Sequence, residues 1–169
     1  LSSLGTGVMK MDNTGWNTIV KIGIVVNDIE KAAEHYNCIF DLKEKAVVRY
    51  PDPNKKPMEG AYKRFHGESV NPKLKCCIVN LEPIYLEVIE PADNEPSPWK
   101  EYLEKHGPGV CFISFYINGF EQQIDFMEKG GYPATFIEDK IFERYAYFDT
   151  QEKIGVTIEM KERQDRSNK

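Results

Sequence analysis

An ordered internal repeat constrains this chain more than any other feature of its sequence. Laying Lys21 on Phe112 (112 − 21 = 91) superposes two apolar, β-branched runs and the residues that follow them, so that Asn27, Ile29 and Glu30 fall on Asn118, Phe120 and Glu121. The two halves also end alike, since Tyr85-Leu86-Glu87-Val88 matches Thr157-Ile158-Glu159-Met160 in residue type. A chain that repeats a strand, a helix start and a closing strand with one central glutamate is expected to fold as two copies of one module.

Periodicity assigns the elements. The run 19–26 is too short for a buried helix and rich in β-branched residues, and is expected to be a strand. Ile29, Ala32, Ala33, Tyr36 and Phe40 follow at helical spacing, with Asn27 and Glu30 placed as a capping box. Strands are expected at 47–50, 74–80 and 85–89, and the prolines and glycine between the first two predict a long irregular excursion over 50–72. Ser97, Pro98 and Gly107 frame a connecting helix as cap, first-turn proline and terminator. The second copy runs as a strand at 111–117, a helix opened by Asn118 and Glu121, and strands at 135–137, 144–149 and 156–160. The expected organisation is a flexible leader (1–15), a first βαβββ module (16–91), a connecting helix (92–107), a second βαβββ module (108–162) and a charged tail (163–169). The fold class is α+β, two tandem modules forming curved mixed sheets around a cup with helices on the convex face.

Strand parity then selects a shared surface. Alternate side chains of a strand face opposite sides, so Val20, Ile22, Ile24 and Val26 pack against helices while Lys21 and Gly23 face away. The same rule separates Cys111, Ile113, Phe115 and Ile117 from Phe112, Ser114 and Tyr116, and sets Glu87 and Glu159 opposite their apolar neighbours. Lys21, Glu87, Phe112 and Glu159 are therefore expected on one concave surface, provided the first and last strands of the modules lie side by side.

Charge and composition narrow the partners. The formal net charge is −5 and no basic block occurs, which argues against nucleic acid. No apolar run is long enough to span a bilayer as a helix, and residues 1–13 have neither the charged nor the apolar region of a signal peptide, so a cytoplasmic location is expected. The four cysteines (Cys38, Cys76, Cys77, Cys111) lie in apolar runs and are expected to be reduced, buried thiols. A small-molecule ligand is the expected partner.

Several segments, taken together and in order, resemble the vicinal oxygen chelate superfamily in its glyoxalase and methylmalonyl-CoA epimerase branch. They are Val20-Lys21-Ile22-Gly23-Ile24, Asn27-Asp28-Ile29-Glu30, Leu86-Glu87-Val88-Ile89-Glu90-Pro91, Ser97-Pro98 with Tyr102-Leu103-Glu104-Lys105-His106-Gly107, Ala146-Tyr147-Phe148-Asp149-Thr150 and Gly155-Val156-Thr157-Ile158-Glu159. The resemblance implies a homodimer and an isomerase or lyase that chelates an enolate-like intermediate on a divalent metal. It also implies four ligand positions, which fall on Lys21, Glu87, Phe112 and Glu159. The two histidines of that pattern are replaced by Lys21 and Phe112, and neither an ammonium nor a phenyl ring coordinates a metal. No cofactor or tightly held metal is expected, with Glu87 and Glu159 as the ligands if one is present.

Lys21 instead supplies a positive charge to two carboxylates that would otherwise be buried alone. In the catalytic reading Lys21 polarises a carbonyl and Glu159 moves a proton, within a ligand pocket of Lys21, Glu87, Phe112, Ser114, Tyr116, Tyr147 and Glu159. In the alternative reading the protein sequesters a flat ligand, as bleomycin-resistance members do, by stacking on Phe112, Tyr116 and nearby aromatics such as Tyr145, Tyr147 and Phe148. The base of the epimerases would fall near Lys75. Lys55, Lys56, Lys63 and Arg64 read as a solvated loop, and His35, His66 and His106 lie off the expected cup strands.

Overall fold

A computed structural model describes residues 15–162. The expected leader, but for its last residue, and the charged tail lie outside the described residues. The first module opens with β1 (Ile19–Val25) and α1 (Ile29–Ile39), continues through β2 (Val48–Arg49), β3 (Tyr62–Phe65), β4 (Glu68–Ser69) and β5 (Leu74–Asn80), and ends on β6 (Tyr85–Pro91). The connecting α2 (Pro98–His106) leads to β7 (Gly109–Ile117), α3 (Phe120–Lys129), β8 (Ala134–Asp139), β9 (Arg144–Phe148), the short α4 (Gln151–Ile154) and β10 (Thr157–Glu162). Among the described residues no helix is long and apolar enough to cross a membrane.

All ten strands join one mixed sheet in the order β2-β5-β6-β1-β7-β10-β9-β8-β3-β4. Its centre carries the repeat: β1 and β7 run antiparallel, with Lys21 opposite Ser114 and Gly23 opposite Phe112. Because Phe112 is the repeat mate of Lys21 and Ser114 that of Gly23 (114 − 23 = 91), this cross-pairing is the one a two-fold between the modules requires. Each opening strand then takes its module's closing strand as a parallel neighbour, Gly23 beside Glu87 and Ser114 beside Glu159. The adjacency that strand parity alone could not supply is thereby met.

Two apolar clusters back the sheet. Ile29 and Ala33 of α1 pack with Cys77, Val79 and Val88, and Phe120 and Met127 of α3 with Ile117, Ala146, Phe148 and Met160. A third cluster lies on the cup side and contains Val25, Ile89, Phe112, Phe136, Tyr147 and, from α2, Trp99. Ser97 caps α2 as expected by accepting from the Lys100 amide at 3.2 Å, and Gly107 ends it at φ 72°.

Five sequence expectations change. The cap of α1 is Asp28, which accepts from the Lys31 amide at 3.0 Å, rather than Asn27; the Ile29 amide is taken by Glu90 from β6 at 2.8 Å. Gly119, not Asn118, precedes α3 and makes no side-chain cap. Residues 50–72 are not wholly irregular, for β3 and β4 form a hairpin through His66 and Gly67, both at positive φ (49° and 82°), the backbone signature of a tight two-residue turn. Cys111 is the extra residue of a bulge between β7 and β1, which brings it into the cup-side cluster instead of the helix side. Cys38 is exposed and Cys76 only half-buried, although all four cysteines are free as expected.

Candidate functional site

Three charged side chains meet on the central strands. β1 carries Lys21 inward, β6 brings Glu87 and β10 brings Glu159. The Lys21 ammonium donates to Glu87 Oε2 and lies 3.3 Å from Glu159 Oε1. The Lys21 and Glu159 side chains keep 5% and 3% of their exposure, whereas Glu87 keeps 23%, so Glu87 is the member of the trio most open to the cup.

Neighbours fix the deeper carboxyl from two sides. The Ser114 hydroxyl donates to Glu159 Oε1. The Tyr147 hydroxyl also bonds Glu159 while accepting from Trp99 Nε1 at 3.2 Å, so a chain of polar contacts runs from the connecting helix to the carboxyl. Aromatic rings complete the ammonium's surroundings, with Phe112 and Tyr145 centroids 5.4 Å and 5.2 Å from Nζ.

The electrostatics follow from one cation shared by two anions. Burial works against the Lys21 charge, but Glu159 and Glu87 outweigh it and hold the ammonium above the ordinary lysine range. Lys21 therefore stays protonated and serves as a donor, not as an amine nucleophile. Burial pushes the Glu159 carboxyl above its ordinary value; Lys21 opposes the rise and Glu87 adds to it. Burial and Glu159 also push the Cys111 thiol up to about 12, which leaves it inert near neutral pH.

The trio lies in a cup of about 670 Å³. Of the pocket residues expected from the sequence, Lys21, Glu87, Tyr147 and Glu159 line it. Phe112 and Ser114 lie fully buried behind the wall, where Phe112 packs over Gly23 and Ser114 holds Glu159. Tyr116 is not part of the lining and sits beside Lys161, 5.6 Å from Nζ to ring centroid. Phe148 turns to the convex cluster. Lys75 points out of the cup and pairs with Glu30 and Glu90, each at 3.1 Å, while its neighbour Cys76 faces in. Lys55, Lys56 and Lys63 line the mouth; Arg64 does not. His66 reaches Glu101 on the surface at 3.3 Å and His106 packs on Tyr102, whereas His35 is exposed on α1.

Sequence reasoning missed much of the wall. Trp99, Phe136 and Ile89 line it, and Trp99 lies edge-on to both Phe136 and Tyr147, at 5.2 Å and 5.9 Å between centroids. The tryptophan immediately after the proline of a capped connecting helix was the available signal, since so large an apolar side chain in the first turn needs somewhere to be buried.

The donor set does not suit a divalent ion. Two carboxylates converge, but the ammonium lies between them, and among the described residues no three His, Cys, Asp or Glu side chains converge at a site that could hold a metal.

A family model described as the glyoxalase/bleomycin resistance protein/dioxygenase superfamily matches residues 21–148, about three quarters of the chain. The chain belongs to this superfamily. Solved structures agree on the fold of this superfamily member. Methylmalonyl-CoA epimerase from Mycobacterium tuberculosis superposes with a TM-score of 0.61 at 15% identity, over 94% of this chain and 95% of that one. A point variant of the Streptomyces coelicolor epimerase, solved in complex with 2-nitronate-propionyl-CoA, gives 0.59 at 16% identity over 87% and 94%. A third, a methylmalonyl-CoA epimerase in complex with methylmalonyl-CoA and NH4+, gives 0.54 at 17% identity over 86% and 93%. A comparison with curated proteins finds no match.

Proposed function

We propose that this superfamily member is an isomerase-type enzyme that takes a small acyl compound into the cup and moves a proton at the carbon beside its carbonyl. The observation that carries the reading is the Lys21 ammonium held between Glu87 and Glu159 on the cup wall. Lys21 donates a hydrogen bond to the substrate carbonyl oxygen. Glu159, as carboxylate, takes the proton from the adjacent carbon, the C–H electrons form the enolate double bond, and the negative charge collects on the oxygen that Lys21 holds. Swapping that proton with solvent before Glu159 returns it completes an exchange, and protonation on the opposite face of the enolate completes an inversion. In this reading the ammonium does what a chelated metal does for an oxyanion, and no divalent ion takes part. The solved epimerase that contains NH4+ is a neighbour in which an ammonium accompanies an acyl-CoA ligand.

Carbon-proton exchange tests it. The propionyl thioester of N-acetylcysteamine, incubated with the protein in D2O, is expected to lose its α-proton signals by NMR. EDTA should leave the rate unchanged, and Lys21→Met and Glu159→Gln should abolish it. A second reading, sequestration without chemistry, is favoured by the aromatic wall of Trp99, Phe136, Tyr145 and Tyr147. Ligand-induced shifts without exchange would select it over the first.

A further inference from the structure

The cup has three chemically distinct zones. Its floor is the Lys21–Glu87–Glu159 trio, and its middle is apolar, walled by Leu74, Ile89, Trp99 and Phe136. Its mouth carries more cations than anions: Lys55, Lys56, Lys63, Lys73 and Lys140 line it with Asp52, Glu138 and Asp139, in a chain whose net charge is −5.

The basic mouth divides in turn. Lys63 and Lys140 lie 3.4 Å and 3.9 Å from Glu138, so their charge is largely met on the rim itself. Lys55, Lys56 and Lys73 form no ion pair among the described residues. Lys55 and Lys56 lie in a turn before β3, where the Lys55 amide donates to the Asp52 carbonyl at 3.2 Å, and the stretch from β3 to Lys73 is tied down at several points. β3 pairs with β8 from Tyr62 opposite Asp139 to Phe65 opposite Phe136, and Phe65 and Val70 are buried in the cup-side cluster. Beyond the hairpin the Asn71 and Lys73 amides donate to Glu95 and Asp93 at 3.1 Å and 3.0 Å. Three cations without carboxylate partners are thus held over the opening of an apolar shaft whose floor carries excess negative charge.

We infer that the ligand is an anionic amphiphile: a carbonyl at the floor, an apolar spacer along the aromatic wall, and a carboxylate or phosphoryl group at the far end held by Lys55, Lys56 and Lys73. The inference deepens the proposed function and rests on it for the placement of the carbonyl. An anion entering carbonyl-first would leave its charge where the cations are. The reverse orientation would bring it against Glu87 and Glu159 in a site of low polarity, where repulsion is strong. The basic rim therefore sets the direction of entry as well as the class of ligand.

A matched pair of probes tests the inference. A medium-chain keto acid whose ketone lies at the end away from the carboxylate, and the methyl ester of the same acid, are titrated into the intact protein by calorimetry at low and at high salt. The acid is expected to bind about tenfold more tightly than the ester at low salt, with the advantage shrinking as salt rises. The Lys55→Glu, Lys56→Glu, Lys73→Glu triple variant should remove that advantage and leave the ester unchanged; all three sites are exposed, so folding is not at stake. The corresponding keto-alkyl phosphate separates the two anions: tighter binding than the acid identifies a phosphoryl group, weaker binding a carboxylate. Equal binding of acid and ester that the triple variant does not alter overturns the anionic end while leaving the proposed function standing. Failure of both acid and ester to bind overturns both.

Discussion

The two modules place chemically opposite side chains at equivalent positions of the cup. In the first, the position carries Lys21, an ammonium shared by two carboxylates; in the second it carries Phe112, a ring that fills the space above Gly23 and never reaches the cup. The two closing glutamates keep their symmetry in sequence yet differ in setting: Glu87 is open to the cup, while Glu159 is enclosed by Ser114, Tyr147 and Lys21. A symmetric scaffold therefore holds an asymmetric site, with the charge on one side and the packing on the other. The comparison teaches that equivalent positions of a repeat can serve different ends, because one side chain supplies charge and the other supplies volume.

The sharpest way to break the comparison is to remove the charge. Lys21→Met leaves two carboxylates facing each other in a buried site and is expected to destabilise the fold by about 3–5 kcal/mol in urea unfolding. A loss below about 1 kcal/mol would mean that the trio does not form in solution. Removing the space is expected to cost less: a Cβ on Gly23 would overlap the Phe112 ring, so Gly23→Ala should cost about 1–3 kcal/mol. Phe112→Leu should recover part of that loss, and if it does not, the two residues are not packed together.

The two glutamates offer the next contrast. Replacing Tyr147 by Phe removes one support of Glu159 and leaves the Trp99 indole N–H without its acceptor, at an expected cost of about 1–2 kcal/mol. The same change should leave ligand contacts at Glu87 unaltered. The smallest effect is the pH dependence. Burial holds the folded-state pKa of Glu159 above its unfolded value, so the folded state keeps a proton there that the unfolded chain has released. Its contribution to stability is then greatest below the ordinary glutamate range and falls as pH rises through the window up to the raised value. Glu159→Gln should remove that slope, and Glu87→Gln, which takes away one of the charges that raise the Glu159 carboxyl, should only reduce it.

Much of this asymmetry was legible in the sequence, because it rests on alternation along strands. The offset between the modules and the parity of 19–26, 85–89 and 156–160 place Lys21, Glu87 and Glu159 on one face, and the pairing of β1 with β6 and β7, and of β7 with β10, joins them. Parity fails where a strand gains a residue: the bulge at Cys111 lies outside any two-residue period, so the side of that thiol is set by pairing alone. Helix starts shift by one residue from their expected places, since Asn27-Asp28 offers two capping side chains and the choice depends on Glu90, which reaches in from β6, 61 residues along the chain. The cup wall was the least legible part. Trp99 reaches it from the connecting helix, and the lysines of the mouth reach it because a hairpin pairs with the far module, a partner that no local pattern names.

That hairpin has a consequence for how the chain reaches its fold. Tyr62 pairs with Asp139 and the His66 amide donates to the Thr135 carbonyl at 2.8 Å, so part of the first module finds its place only once the second has been made. Contacts this distant in sequence slow folding. A ribosome releasing the chain from its N-terminus would hold the first half with an unclaimed sheet edge until residues near 139 emerge. The crossing that positions the rim thus also binds the two halves into one cooperative unit, in which neither finishes assembling alone.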